Sequence, residues 1–490
     1  MNTVRRLVRL KIKKQNKRVP LIILSLTIIL FIGYLHPTSV KGFEWIFEDK
    51  EKVAQEEQLT KEDIALIEEM YNTIQVNYID DVDKKTLLEG AFKGMVGSLE
   101  DPYSEFLNPS EQTTFDDSVD GSFNGIGVQF MIREGKPTVI APIDGTPASE
   151  AGIQANDVII SADDVELEGL TTSEIIDLIR GPEGSEVKLT IQRGSSTFDV
   201  KIKRAEIPLT TVEAELDKEH PKVGYLKISQ FASTTYEEMV TSIKELRDQG
   251  AERFIFDFRY NPGGLLDSAL AITNMFMEDR QILMQTEDKL SGVTTYEASD
   301  DEYGKFQVEE PYVLLVDEGS ASASEILAVA IKENTNHDVI GTNTFGKGTV
   351  QTLATSSEYG ELKLTIAKWL SPKGEWIHDQ GVKPDKVVEQ PAVASAIMLD
   401  TTTELKEGDA SEFVQSASLM LDALGFDLSE TSYFDQKMEQ AVKDFQKKNK
   451  LKVSGIIDGE TAQILMDKTR EYIDKNDPQY KAAMDTVLGE

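Results

Sequence analysis

The spacing of apolar residues along this chain changes several times, and the changes mark its segments. From Lys61 to Leu99 apolar positions recur at first every three or four residues (Ile64, Ile67, Met70, Tyr71, Ile74). That is the spacing of one helix face, and it predicts helices that cap or pair rather than a self-contained core. Between about 115 and 205 the pattern shortens to strand-like runs punctuated by glycine: GIGVQFMI, TVIAPI, DVIISA, VKLTIQR and FDVKIKR. Two helical stretches, ASEAGI and TSEIIDLIRG, lie among them, which outlines a compact mixed β/α domain. From about 206 to 400 strands alternate with helices. VGYLKIS leads to a helix from Tyr236 to Gln249, RFIFDFR to one from Leu265 to Met277, and YVLLVD to one from Ser324 to Asn334, before DVIGT. This βαβ rhythm predicts a sheet covered by helices, with functional loops at strand ends. Residues 401–412 read as a polar linker, 413–470 as a small three-helix module, and 471–490 as a tail that Pro478 breaks in two. The expected fold is a multidomain α/β (α+β) chain. It has a helical N-terminal region (48–114), a mixed β/α domain (115–205), a βαβ core (206–400) and the helical module.

The N-terminus adds a membrane to this picture. Residues 1–18 carry eight basic side chains and no acid, and residues 20–35, PLIILSLTIILFIGYL, carry no charge. The apolar stretch is slightly short of the roughly 20 residues that span a bilayer, and neighbouring residues extend it. A cleaved signal peptide shares these features, but the following HPTSVKGF lacks a clear small-x-small cleavage signal. We therefore read 1–19 as a cytoplasmic basic segment and 20–36 as a single-pass anchor in the cell membrane. The positive-inside rule then sends the rest of the chain to the extracytoplasmic, cell-wall side. Without the eight N-terminal cations, 43 basic residues face 86 acidic ones. So acidic a chain is repelled by phosphates, which excludes nucleic acid as a partner. The absence of cysteine excludes disulfides, thiolate metal sites and a cysteine nucleophile. Four histidines (His36, His220, His337, His378) argue against a histidine-rich metal site, and no cofactor is implied.

The stretch YVLLVDEGSASASEILAVAIKE holds the most chemistry. A buried-type strand turns at Gly319 and enters a helix. Ser322 with Glu325 three residues on is the pattern of a capping box, the commoner use of such a serine. The same turn suits a nucleophile, with the positive end of a helix behind it and the Ala323 N–H facing a developing oxyanion. FDFRYNPGGLL offers a second donor at Gly263 or Gly264, since glycines permit close backbone approach. A serine needs a base. His378, in WIHDQG, is one candidate, and Lys347, in NTFGKGTVQ, is the better one. A free lysine of pKa about 10.4 is neutral in fewer than about one molecule in 10³ at pH 7, but burial lowers that pKa. Gln351 can orient the amine without a negative charge that would retain its proton.

Taken together, GSASASEI, FGKGTVQ, DFRYNPGGLL and PKGEWIHDQGVKPD resemble the carboxy-terminal processing protease family, also called the tail-specific proteases. The family pattern DLRxNPGG has leucine where this chain has Phe258. The resemblance implies a serine endopeptidase core in which Ser322 is the nucleophile, Lys347 the base and Gln351 its orienting partner. Backbone groups of Gly263 or Gly264 and of Ala323 would form the oxyanion hole. It also implies that 115–205 is a PDZ domain that recognises substrate C-termini through the loop Gly125, Ile126, Gly127 and Val128. Arg180 would couple peptide occupancy to the active site, an ordinary helix-end cation being the alternative. Residues 413–470 resemble a peptidoglycan-binding module, which makes peptidoglycan a partner. Members of this family pair through N-terminal helices and C-terminal tails, so a homodimer is expected. An inactive PDZ and wall-binding scaffold, or an amide hydrolase acting on wall peptides, would share many of these features.

Overall fold

The computed structural model describes residues 58–489 apart from Glu134 and Asp144. The basic segment and anchor expected over 1–36 lie outside the described residues. Among the described residues no helix is long and apolar enough to cross a membrane. From Ile67 onward the chain forms one compact unit.

Helices Lys61–Asn77 and Lys84–Gly97 appear where the period places them. The second starts at Asp83, whose carboxylate accepts the Thr86 N–H. Met70 and Val76 remain exposed on the first, so its apolar face is not buried among the described residues.

A two-stranded ribbon, Ser122–Gly125 against Ala205–Pro208, marks where the chain enters and leaves the mixed domain. Inside it a sheet runs in the order Val128–Arg133, Lys136–Pro142, Val158–Ala162, Glu186–Arg193, Ser196–Lys203. Helices Pro147–Glu150 and Thr172–Ile179 complete it around a core that includes Ile126, Ile159, Ile175 and Leu189.

The βαβ segment folds into a six-stranded sheet. Its order is Val212–Leu216, Val223–Ile228, Arg253–Asp257, Tyr312–Val316, Val339–Gly341, Lys386–Val387, parallel except at the first edge. Successive side chains alternate faces. Phe254, Phe256 and Leu314 therefore point to one side, where Phe256 meets Phe276 edge-on at 5.0 Å. Ile255, Val313 and Leu315 point to the other, and there they are buried against Ala483, Met484 and Val487. Those three residues belong to helix Pro478–Leu488, which Pro478 begins as expected. Its docking on the catalytic sheet was not foreseen, and it places the tail against its own chain.

A second sheet was also not foreseen. It is antiparallel, in the order Glu105–Leu107, Gly360–Leu370, Ile282–Asp288, Gly292–Glu297, with Thr349–Ser357 paired to Gly360–Leu370. Its strands, such as GVTTYE and TVQTLATSS, mix threonine with few large apolar groups and show no clean alternation.

Helices Glu412–Ala423, Gln436–Lys448 and Gly459–Lys475 form the small module around Leu421, Val442, Phe445 and Leu465. Residues 401–412, read as a linker, are threaded into it. Leu405 bridges Ile457 and packs on the module core, and Ala410 bridges Tyr433. One leucine among polar neighbours is enough to pin the segment.

Candidate active site

The parallel sheet brings two strand ends side by side. Arg253–Asp257 pairs with Tyr312–Val316, so the loop Phe258–Gly264 lies against the turn Asp317–Ser322. Hydrogen bonds join them. Asn261 C=O accepts the Ala321 N–H at 3.0 Å and the Ser324 hydroxyl at 2.9 Å. Tyr260 N–H donates to Asp317 Oδ1 at 2.8 Å, and Ser320 Oγ donates to Phe258 C=O at 2.8 Å. Gly263 touches the Ser322 turn: a methyl on it would lie 2.9 Å from both Ser322 Cβ and Ala323 N. Here a glycine is required, at φ 98°.

Ser320 and Ser324 are fully buried and their hydroxyls are bonded to main chain. Ser322 alone of the three is partly exposed. It caps helix Ala323–Asn334 at φ 54°, ψ −110°, a conformation that L-residues rarely adopt and that surrounding structure must impose. The box is closed from the glutamate side, with Glu325 Oε2 accepting the Ser322 N–H at 2.8 Å, and Ser322 Oγ makes no hydrogen bond among the described residues. The helix's first N–H, that of Ala323, is likewise without a partner there. Of the two glycines named from sequence, Gly263 donates to Asn261 Oδ1 at 2.9 Å, while the Gly264 N–H has no such bond among the described residues.

Glu325, completely buried, is the residue that sequence reasoning under-read. The same Oε2 that holds Ser322 also accepts the Lys347 N–H at 2.8 Å. Its Oε1 accepts the Thr344 hydroxyl at 2.6 Å and the Gly346 N–H at 2.7 Å. One carboxylate thus fixes the main chain of both candidate reacting residues. Burial raises its pKa, against the pull of these four bonds. The only sequence signal was the capping-box spacing, which gives no hint of the second turn.

Lys347 lies at the mouth of the second sheet, just before Thr349–Ser357. Burial holds its pKa below the ordinary lysine value, helped by the Lys363 ammonium and opposed by Asp101, Glu325 and Glu105. Its Nζ sits 5.1 Å from the centre of the Tyr103 ring, within cation–π range, and no hydrogen bond joins it to Ser322 Oγ in this arrangement. Gln351 donates from Nε2 to the Thr349 and Thr365 hydroxyls at 2.9 and 3.2 Å, rather than to the lysine. Its carbonyl oxygen is left to accept.

Beneath the loop, Arg259 makes a two-sided clamp. It grips Asp257 through Nε and Nη2 and reaches Asp477, the cap of the C-terminal helix, through Nη1 at 2.7 Å. Gln390 Nε2 bonds both Asp477 and Gln479, tying the point where the chain leaves the catalytic domain to the point where it returns.

In the mixed domain, Gly127 at φ 75° packs on Thr146, whose hydroxyl donates to Gly127 C=O at 3.1 Å. The Ile126 and Gly127 N–H groups make no hydrogen bond among the described residues. Arg180 pairs with Asp117 of helix Pro109–Asp120 and lies over the Phe123 ring at 4.5 Å. It is a bridge between domains rather than a solvated helix-end cation. Among the described residues no cluster of carboxylates and histidines could hold a metal ion.

Comparison with known proteins agrees with this architecture. Residues 222–388 match peptidase family S41, 138–193 a PDZ domain and 410–465 a peptidoglycan binding domain. Residues 36–111 match the N-terminal domain of the activating protease CtpB. The carboxy-terminal processing protease CtpA of Bacillus subtilis (strain 168) is 38% identical over 421 residues, covering 86% of this chain and 89% of that one. CtpB of the same organism is 37% identical over 428 residues, covering 86% and 88%. Among solved structures, the photosystem II D1 C-terminal processing protease aligns with 68% of this chain and 94% of its own, at 25% identity and a TM-score of 0.39. The chain therefore belongs to the S41 family of carboxy-terminal processing serine proteases, and carries a PDZ domain and a peptidoglycan-binding domain beside the protease core.

Proposed function

We propose that this protease is a membrane-anchored endopeptidase that processes extracytoplasmic proteins through a Ser322–Lys347 dyad. The observation that carries the reading is the shared carboxylate oxygen: Ser322 and Lys347, 25 positions apart in sequence, have their N–H groups on one Glu325 oxygen. In the reaction, the lysine amine leaves the Tyr103 face, takes the Ser322 proton, and Oγ attacks the scissile carbonyl. The oxyanion meets the N–H groups of Ala323 and Gly264. The bond of the Gly263 N–H to Asn261 Oδ1 favours Gly264 over Gly263 as the second donor. Each such donor is worth about 10²–10³ in rate. The lysinium then protonates the leaving amine, and water, activated by the same amine, hydrolyses the acyl-enzyme. Gln351 offers its carbonyl oxygen to the ammonium and no charge that would trap the proton.

The PDZ loop from Gly125 to Val128, with the free Ile126 and Gly127 N–H groups, suits capture of a substrate's C-terminal carboxylate. Arg180, bound to Asp117 at the edge of the protease core, is placed to report that occupancy. The apolar segment 20–36 supports anchoring in the membrane, and the peptidoglycan-binding domain supports a station at the wall. The exposed apolar face around Met70 and Val76 supports a homodimer through the N-terminal helix.

The test is a digest of an unfolded polypeptide, with products read by mass, by wild type, Ser322→Ala and Lys347→Ala. Peptide products from wild type alone support the reading. Cleavage by Ser322→Ala at the wild-type rate refutes it, and activity confined to purified muropeptides would make the protein an amide hydrolase instead.

A further inference from the structure

The histidine that rivals Lys347 in the sequence is bound to the turn that carries it. All main-chain polar groups of Lys347 and Gly348 end on side chains. The Lys347 N–H goes to Glu325, and its carbonyl accepts Trp369 Nε1–H at 2.8 Å. The Gly348 carbonyl accepts Trp376 Nε1–H at 2.8 Å, with a further bond from the Trp369 N–H at 3.1 Å. The Gly348 N–H donates to His378 Nδ1 at 3.1 Å. The packing leaves no slack, since a methyl on Gly348 would stand 2.8 Å from His378 Cβ and from Trp376 Nε1. The His378 ring stacks on Trp376 at 5.0 Å and 10°, with Tyr103 at its edge.

We propose that neutral His378 is a positioning residue for the Lys347 turn; the inference rests on Lys347 being the base. A backbone N–H can be met only by a lone pair, so Nδ1 is bare and Nε2 carries the proton. Protonating the ring sets an N–H on Nδ1 against the Gly348 N–H, donor against donor. The two indoles in this cage have no lone pair to protonate, so the histidine is the one peg whose bonding reverses when it takes up a proton. The groups that face it come from several elements. Asp379 Oδ1 lies 3.8 Å from Nε2, and the Asp101 carboxylate faces the ring from the segment before Glu105–Leu107. Tyr103 lies at the ring edge, Lys347 lies beyond it over the Tyr103 face, and the Lys368 ammonium lies over Trp376 at 4.4 Å. What protonation removes is the peg.

The test is the pH dependence of kcat/KM on a peptide substrate, for wild type, His378→Asn and His378→Ala. Asparagine places Oδ1 where Nδ1 stood and cannot be protonated. A lysine base alone gives a limb of slope about one on the acid side, and loss of the peg steepens it toward two as the imidazole charges. The wild type is expected to show the steepening. His378→Asn should stay close to wild type at pH 8 and keep a slope of about one throughout. His378→Ala should lose about tenfold or more at pH 8, again without steepening. A wild-type slope of one at all pH values, or a steep limb that persists in His378→Asn, overturns the proposal. If Lys347→Ala retains activity, the base assignment has failed instead, so the two failures are distinguishable.

Discussion

Ser322 sits on a turn held by its own residues and by the loop at the adjacent strand end, whereas the N–H and C=O groups of Lys347 and Gly348 meet side chains of residues 325, 369, 376 and 378, most of them distant in sequence. The first is built from hydrogen bonds within Asp317–Ser324 and from the loop Phe258–Asn261 at the adjacent strand end. A parallel sheet aligns those two loops wherever the strands pair. The second has fewer main-chain ties, among them Phe345 N–H to Ser320 C=O and Asp379 N–H to Gly346 C=O. It stands between the two sheets and depends on one buried carboxylate, two indoles and an imidazole reaching it from elsewhere. The lesson is that the Ser322 turn is placed mainly by sheet topology and the Lys347 turn mainly by distant side chains, with Glu325 as the joint. Substitutions should therefore disturb the two turns differently.

The largest effect is expected at the joint. Glu325→Gln leaves an amide where two oxygens accepted four donors, and at least one backbone N–H then meets another N–H. Displacing a reacting group by about 1 Å costs about 10²-fold, so kcat should fall by that much or more with KM little changed. Kinetics on a peptide substrate measure it; unchanged kcat would mean the two turns are positioned independently. Next comes Asn261→Ala, which frees the Gly263 N–H and strips the loop of its internal bond. It should cost about 10²-fold in kcat through the oxyanion hole, and about 1–3 kcal/mol in denaturant unfolding through the buried groups left unpaired.

Smaller effects lie below the loop. Asp477→Asn weakens the clamp on Arg259 and should lower the stability of the catalytic domain by about 1 kcal/mol. Burial alone would raise the Asp477 pKa, but the Arg259 guanidinium and the Tyr480 N–H hold it below the ordinary carboxylate value. The folded state therefore binds this proton more weakly than the unfolded chain does. The contribution is full above the unfolded value of about 3.9 and disappears as pH falls through the lower folded one. The stability gap between wild type and Asp477→Asn, read from urea midpoints, should be complete at neutral pH and close in acid. The smallest changes are expected for Ser324→Ala, which loses one hydrogen bond of about 1 kcal/mol, and Ser320→Ala, which loses the bond to Phe258 C=O and the one from the Asp317 N–H, both retaining activity. Loss of all activity in either would move the nucleophile.

What could be read in the sequence follows the same division. The βαβ core shows as short apolar runs separated by helical patterns, Gly263 and Gly264 announce a close approach, and Ser322 stands at a strand-to-helix turn, so the Ser322 half of the candidate site was legible from local pattern and family motif. The antiparallel sheet that positions Lys347 was not, because strands such as TVQTLATSS carry no two-residue apolar period. The tail's apolar residues were visible, but only tertiary packing shows that Ala483, Met484 and Val487 cover Ile255, Val313 and Leu315. Glu325 looked like one half of a helix cap. Nothing local could show that its second partner lies 22 residues further on, at Lys347.

Labelling with a serine-directed fluorophosphonate, the adduct mapped by mass spectrometry across a pH series, tests the dyad most directly. A single adduct on Ser322 is expected, formed faster as pH rises and the lysine amine loses its proton, and lost or greatly slowed in Lys347→Ala. An adduct on another serine, or a Ser322 adduct formed equally fast without the lysine, would contradict the account.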